Sequence, residues 1–306
     1  MPSLHHQYYC TIAQMKTDAL LAGYDFNNLT VGVLGGHSAL DVCHGAKKYG
    51  LKTVCVAKKG REKTYAKYFT NHQSPITNHQ LGCIDEVIVK DSFENVLDGD
   101  VQLQLKEMNT IFVHNRYFWV YFSDFSKVEH DFQIPIFGSR TLLKIEERDQ
   151  PYNQYHLLQD AGIRTPKIYK GVGGRALGVG IDRPVLVKAS EAQRGFERAF
   201  FLVSSDQEYE SVGSQLEEEG KVSSAWREAI IEEFVVGAPV NFNFFYSPLT
   251  GVLELMGTDT RRQTNLDGFL RMPANQQAQA MQEVPLKMIE TGHIACTVKE
   301  SILEKA

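Results

Sequence analysis

The sequence predicts an α/β chain, an N-terminal parallel-sheet domain followed by a second domain of α+β character. Three observations carry that expectation. Short apolar runs alternate with helical stretches through the first part of the chain, the pattern of a helix-covered parallel sheet. A glycine turn joins the first of those runs to the first helix. Beyond Ser139 the strand-like runs follow one another more closely, which implies antiparallel pairing. At 306 residues the chain is long enough for two domains.

A short helix is expected over residues 8–22. The run Thr30–Leu34 is β-branched and apolar and reads as a buried strand. Gly35 and Gly36 then permit a sharp turn, and Ser38 is placed to cap the helix that follows. Leu40, Cys43, Ala46 and Lys47 recur at helical spacing, with Gly50 as the stop. Further strands are expected at 52–57, 86–90, 109–113 and 134–138. From Ser139 two amphipathic helices follow, the second ended by Gly162 ahead of Pro166. Strands at 184–188 and 198–203, a helix over 206–219, and strands at 229–234, 240–246 and 252–259 complete the reading. The domains are expected at 1–140 and 141–306.

Composition excludes several classes. The hydrophobic fraction is 43% and the charged fraction 23%, ordinary for a folded soluble protein. A net charge of -5 argues against a nucleic-acid binder, which would present a dominant basic face. No apolar run approaches the roughly 20 residues of a membrane span, and the first residues lack the pattern of a secretion signal. The five cysteines form no C-x-x-C pair, so they read as free thiols in a reducing cytoplasm. The ten histidines include no H-E-x-x-H, and no zinc site is inferred.

Several constellations can carry chemistry. The turn Gly35-Gly36-His37-Ser38 opens a helix, where backbone N–H groups and the helix dipole favour a phosphate or carboxylate. A structural turn in which His37 caps the helix would look the same. The basic run Lys58, Lys59, Arg61 and Lys63 lies at a carboxyl edge of the expected sheet, where such folds place ligands; a solvated loop is the alternative. Lys188 ends an apolar strand and can aim its ammonium at phosphates, although a lone strand-end lysine usually just snorkels to the surface. IIEEFVVG carries Glu232 and Glu233 into Phe234, Val235, Val236 and Gly237, a strand running into a hinge. In GTDTRRQTNLDGFLRMPA, Arg261, Arg262, Asn265 and Asp267 suit a phosphorylated, amide-bearing ligand; a charged hairpin loop is the alternative. The glycine-rich 171–180 runs into Pro184 and a strand rather than a helix, so it reads as a connector.

Taken in order, VGVLGGHSAL, AKKGRE, IPIFGSR, LLQDAGIRTPKIY, VLVKASEAQRGFERAFF, IEEFVVGAPV, FYSPL and RRQTNLDGFLRMPA resemble the ATP-grasp 5-formaminoimidazole-4-carboxamide ribonucleotide synthetases. The resemblance runs from about Thr30 to the end, where TGHIACTVKESILEK fits the same pattern. It implies a pre-ATP-grasp domain followed by an ATP-grasp domain, with ATP and Mg2+ as cofactors. It implies a ligase that phosphorylates formate and transfers the formyl group to 5-aminoimidazole-4-carboxamide ribonucleotide through formyl phosphate. By motif position, Lys188 and Arg194 would be catalytic, and Lys188, Val235 and either Glu232 or Glu233, at the adenine or ribose, would hold ATP. His37, Ser38, Tyr117, Arg261 and Asn265 would hold the ribonucleotide. A homo-oligomer working on small molecules in the cytoplasm, with no nucleic-acid or membrane partner, is implied as well.

The chain departs from the family pattern in three places. The flap after Lys188, from Ser190 to Arg198, keeps one glycine, Gly195, where relatives are glycine-rich; Arg194 and Arg198 could replace its backbone donors. Tyr117 stands where relatives carry a small serine. The family's magnesium carboxylates would lie beyond Ala306, so the chain is expected to be C-terminally truncated, with an exposed sheet edge or apolar patch. Two other readings stay open: an ATP-grasp relative that binds nucleotide without turnover, and a ligase for another carboxylate and amine.

Overall fold

The computed structural model describes residues 18–36, 38–73, 80–115, 117–122, 124, 126–138, 140, 145, 152–170, 180–189, 199–263, 265–284 and 290–306. The helix expected over 8–22 falls outside them but for its last turn. The helix expected near 139–150 lies almost wholly outside them, as do residues 171–179 and the flap at 190–198. The chain forms two compact units, Met1–Leu157 and Leu158–Ala306.

The first unit runs β1 (Thr30–Leu34), α1 (Ala39–Lys48), β2 (Lys52–Lys58), β3 (His72–Gln73), β4 (Gln80–Leu81), β5 (Glu86–Lys90), α2 (Gly99–Glu107), β6 (Thr110–Val113), α3 (Tyr117–Val120), α4 (Ser126–His130) and β7 (Ile136–Phe137), and the boundary falls within α5 (Gln154–Asp160). Five strands form one sheet in the order β5-β2-β1-β6-β7, and every neighbouring pair is parallel. Thr53 to Ala57 are buried in succession, as a strand covered on both faces requires. Strand alternation sends Leu34, Val54 and Val56 into one core cluster with Phe112, Phe118 and Phe132. It sends Val33, Cys55 and Ala57 into another, against Ala39 and Cys43 of α1. Phe112 meets Phe118 and Phe132 edge-on, with ring centres 5.5 and 5.4 Å apart, the arrangement aromatic quadrupoles favour. Cys43, Cys55 and Cys83 are free and buried.

Two polar staples fix this unit. Asp85, just ahead of β5, accepts from Lys47 Nζ at 2.9 Å and from the backbone N–H of Thr53 at 2.8 Å, and also from Asn71 Nδ2. Burial pushes its carboxyl up, but these donors outweigh it and hold the group below its ordinary range. A carboxyl lowered by folding stabilises above the unfolded value of about 4 and loses that contribution as pH falls through its folded value. Asp85→Ala is therefore expected to cost about 2–3 kcal/mol, read as a lower urea midpoint at pH 7. The difference from wild type should shrink below about pH 4. Arg140, from the IPIFGSR block, donates to the backbone carbonyls of Val128, Phe132 and Ile134 at 2.9, 2.7 and 2.6 Å. Burial lowers its guanidinium to about 10, so it stays charged at neutral pH.

The second unit contains β8 (Ile168–Lys170), β9 (Val185–Ala189), β10 (Ala199–Val203), α6 (Asp206–Glu218), β11 (Ile230–Glu233), β12 (Asn241–Tyr246), β13 (Leu253–Gln263), α7 (Leu266–Phe269), α8 (Ala274–Glu283), β14 (Glu290–Ala295) and α9 (Glu300–Leu303). An antiparallel sheet runs β10-β9-β11-β8, and a second runs β12-β13-β14. Ser205 caps α6 by accepting from Glu208 N–H at 3.2 Å. Tyr209, Val212 and Leu216 of α6 pack on Val185, Val187, Phe201 and Ile231 around the fully buried Trp226. Gly213 makes this possible, since a Cβ there would sit 2.3 Å from the indole ring.

Strand β13 runs four residues past the expected end. Arg261 and Arg262 lie within it and not in a hairpin loop, because β14, a strand the sequence reading lacks, pairs with its second half. A bulge at Met256 sets Gly257 opposite Asn243 and Leu255 opposite Phe244. Phe244, Tyr246, Leu253 and Leu255 are among the exposed apolar side chains of β12 and β13.

Candidate functional site

The described residues gather chemistry at three places. The first is the carboxyl edge of the parallel sheet. The chain leaves β1 at Gly35, whose N–H donates to Val56 O at 2.8 Å, and Ala39 N–H donates to Gly36 O at 3.0 Å as α1 begins. Ser38 stands at the N-cap position without a side-chain capping bond. Its backbone, at φ -81° and ψ 18°, is close to helical and not extended, so the hydroxyl is not aimed back at the first turn. His37 lies outside the described residues.

Over this turn lies Tyr117. A Cβ on Gly36 would come within 1.8 Å of the Tyr117 ring, so glycine is the residue that lets the two meet. Asn115 ties the arrangement together: its Nδ2 donates to Leu34 O at 2.9 Å and its Oδ1 accepts from Tyr117 N–H at 3.0 Å. Arg61 Nη1 donates to the hydroxyls of Tyr117 and Tyr121, both at 3.3 Å. The basic run thus divides. Lys59 pairs with Asp91 at 3.6 Å, both largely exposed, and is an ordinary surface charge. Arg61 alone of the two is turned to the tyrosines. His114 follows the end of β6, and burial holds its imidazole below the ordinary value, hence neutral at pH 7. Gly36→Ala should displace Tyr117 and cost about 2 kcal/mol, seen as a lower melting temperature. Gly36→Ala combined with Tyr117→Ser should recover most of that loss.

The second place is the face of the β8–β11 sheet opposite α6. Ile230 pairs with Lys188 and Glu232 with Leu186, so alternation puts Lys188 and Glu232 diagonally on one face. Lys188 Nζ is 2.6 Å from Glu232 Oε1, with side chains 16% and 5% exposed, and it lies 5.8 Å from the centre of the Phe200 ring. Glu233 points to the other side, where its Oε2 accepts from Lys167 N–H at 3.2 Å. The strand then runs into Phe234, Val235 and Val236, whose side chains are all exposed. Arg194 lies outside the described residues.

The third place went unrecognised in the sequence. On the β12–β14 sheet Asp259 accepts from Asn241 Nδ2 at 2.8 Å and Asn243 Nδ2 at 2.6 Å, and His293 Nδ1 lies 2.5 Å from its Oδ1. Hydrogen bonds from Asn241, His293 and Asn243 hold this carboxyl at about 2. Arg261 is the register partner of His293, and Asn265 follows the end of β13. The signal was present in NFNFFY, where two asparagines alternate with phenylalanine on a strand.

Among the described residues no group of three or more histidine, cysteine or acidic side chains is placed to hold a metal ion. Among them, too, no helix is long and apolar enough to cross a membrane.

Residues 31–169 match a family model described as "Protein of unknown function (DUF1246)", and residues 208–306 match a "Domain of unknown function (DUF1297)". A Methanopyrus kandleri protein named 5-formaminoimidazole-4-carboxamide-1-(beta)-D-ribofuranosyl 5'-monophosphate synthetase is 35% identical over 285 residues, 93% of this chain and 72% of its own length. The protein of the same name from Methanothermobacter thermautotrophicus is 34% identical over 289 residues, 94% of this chain and 72% of its own. Among solved structures, an IMP biosynthesis protein PurP from Thermococcus kodakaraensis matches with a TM-score of 0.58 at 22% identity, over 90% of this chain and 70% of that one. An N5-carboxyaminoimidazole synthetase from Staphylococcus aureus matches with a TM-score of 0.51 at 12% identity, over 88% and 71%. The two architectures, a parallel-sheet unit followed by an α+β unit, agree with the ATP-grasp fold of these neighbours.

Proposed function

The chain belongs to the family of 5-formaminoimidazole-4-carboxamide ribonucleotide synthetases, and on that premise we propose that it is an ATP- and formate-dependent ligase of purine (IMP) biosynthesis. Its acceptor is 5-aminoimidazole-4-carboxamide ribonucleotide. Within the site, the Lys188–Glu232 pair at 2.6 Å supports this reading best. It holds an ammonium at a strand end, with an exposed hinge directly after its acidic partner. A nucleoside triphosphate needs both a fixed cation and accessible main chain.

An amine cannot displace oxide from formate, so a formate oxygen must first become part of a phosphate leaving group. In this reading formyl phosphate forms from ATP and formate, and the 5-amino group then attacks its carbon. Lys188 neutralises ATP phosphates, and Glu232 keeps the ammonium in place between turnovers. Arg194 assists at the transferred phosphoryl group. The main chain around Val235 meets the adenine edge, and Glu233, exposed at the strand end, is the acid placed for the adenine amino group or a ribose hydroxyl. His37, Ser38 and Arg61 receive the phosphate of the ribonucleotide at the α1 N-terminus, where dipole and N–H groups favour it. Tyr117 closes over that turn; in the second unit, Arg261 and Asn265 are the residues that the resemblance gives to the ribonucleotide. Magnesium enters as the ion that accompanies ATP phosphates. Catalysis is then mostly positioning and charge neutralisation. The same reading makes the protein a cytoplasmic homo-oligomer.

The test is phosphate release from ATP and magnesium, with formate and the ribonucleotide omitted in turn. Release that needs both, with a formamide product, is the expected result. Release supported by another carboxylate or amine in preference would overturn the substrate assignment.

A further inference from the structure

We propose that His293, oriented by Asp259, is the base that takes the proton from the attacking amine, with Asp259 as its positioning residue. The inference rests on the ligase reading above and supplies the proton acceptor which that reading lacks.

Three side chains converge on one carboxylate. Asn241 and Asn243, two residues apart on β12 and so on one face, both give their amide N–H groups to Asp259, and His293 Nδ1 meets the same group at 2.5 Å. With its carboxyl held at about 2, Asp259 is ionised at any working pH and can only accept hydrogen bonds. Nδ1 must therefore carry the proton, which makes Nε2 the basic position of the neutral ring. Exposure is graded to match: Asp259 is 17% exposed behind a His293 that is 45% exposed. A surface ion pair needs no such backing, because exposed pairs contribute little; an oriented base does. The location agrees as well. Arg261 stands directly opposite His293 in the β13–β14 register, and Asn265 follows the end of β13. These are the two residues of this unit assigned above to the acceptor.

Among the described residues β14 has β13 as its ladder partner. Among the described residues, the charged groups that the register sets beside the ring are Asp259 and Arg261, both from β13, while Asn241 and Asn243 of β12 are neutral. The step balances. The amine nitrogen bonds to the formyl carbon, the carbon–oxygen bond to phosphate breaks, phosphate departs, and the nitrogen's proton passes to Nε2. The imidazolium then returns that proton to solvent.

The experiment compares two acceptors in the purified chain with ATP, magnesium and formate: the ribonucleotide, whose weakly basic amine needs a base, and hydroxylamine, which does not. His293→Gln should lower kcat with the ribonucleotide about 100-fold while formohydroxamate formation stays within about threefold of wild type. The acidic limb of the wild-type kcat profile should vanish in that variant, and added imidazole should restore part of the rate in His293→Gly. Asp259→Asn should shift the same limb while keeping hydroxamate formation. Equal loss with both acceptors would overturn the proposal in favour of a structural or activating role, and so would no loss with either. A wild-type chain that makes neither product would overturn the ligase reading together with this one, an outcome the hydroxylamine arm separates from loss of the base alone.

Discussion

Lys188→Met is expected to lower turnover about 1000-fold, since a fixed cation at the transferred phosphates is worth several kcal/mol where water is excluded. The same change should destabilise the second unit by about 3 kcal/mol, because Glu232, 5% exposed, loses its ion pair. The two effects separate cleanly. Lys188→Met combined with Glu232→Gln removes both charges, so it should regain most of the stability and none of the activity. Chemical denaturation and steady-state kinetics on the three proteins provide the check. Recovery of activity with stability would mean that Lys188 acts through folding alone. Glu232→Gln by itself should lose far less activity than Lys188→Met, because it leaves the ammonium in the site.

The second large effect is expected at Arg61. Its guanidinium is exposed and, among the described residues, held by the hydroxyls of Tyr117 and Tyr121, so it adds little to stability. Arg61→Ala should raise the KM for the ribonucleotide by about 100-fold or more, as loss of a charge-assisted phosphate contact does, with the KM for ATP unchanged. Tyr117→Phe, which removes one of its two acceptors, should raise the same KM by less than about tenfold. Isothermal calorimetry with ribonucleotide alone separates this from any effect on chemistry. An unchanged ribonucleotide affinity in Arg61→Ala would move the phosphate elsewhere.

The strands of the first unit were legible because their burial is local: β1 and β5 have the bounds their apolar runs imply, and β2 runs one residue further. The candidate site was less so, and the reasons are physical. Arg61 looked like one of four basic residues. What distinguishes it is a pair of hydroxyls 56 and 60 residues further along the chain, which no local pattern reveals. The choice between Glu232 and Glu233 is a matter of register. Once β11 pairs with β9, alternation puts Glu232 beside Lys188 and turns Glu233 away. Ser38 has the residue type of a cap, but its backbone angles forbid the bond. β14 is short and polar, and its strand character comes from pairing with β13. The Asp259–His293 contact depends on that pairing, so its two halves stood 34 residues apart without a visible link.

The most direct test of the account is the fate of the formate oxygens. With 18O-labelled formate, ATP, magnesium and the ribonucleotide, the account predicts one 18O atom in each inorganic phosphate released and one in the formamide product. Phosphate free of label, alongside formylated product, would contradict activation through formyl phosphate and with it the roles given to Lys188 and His293.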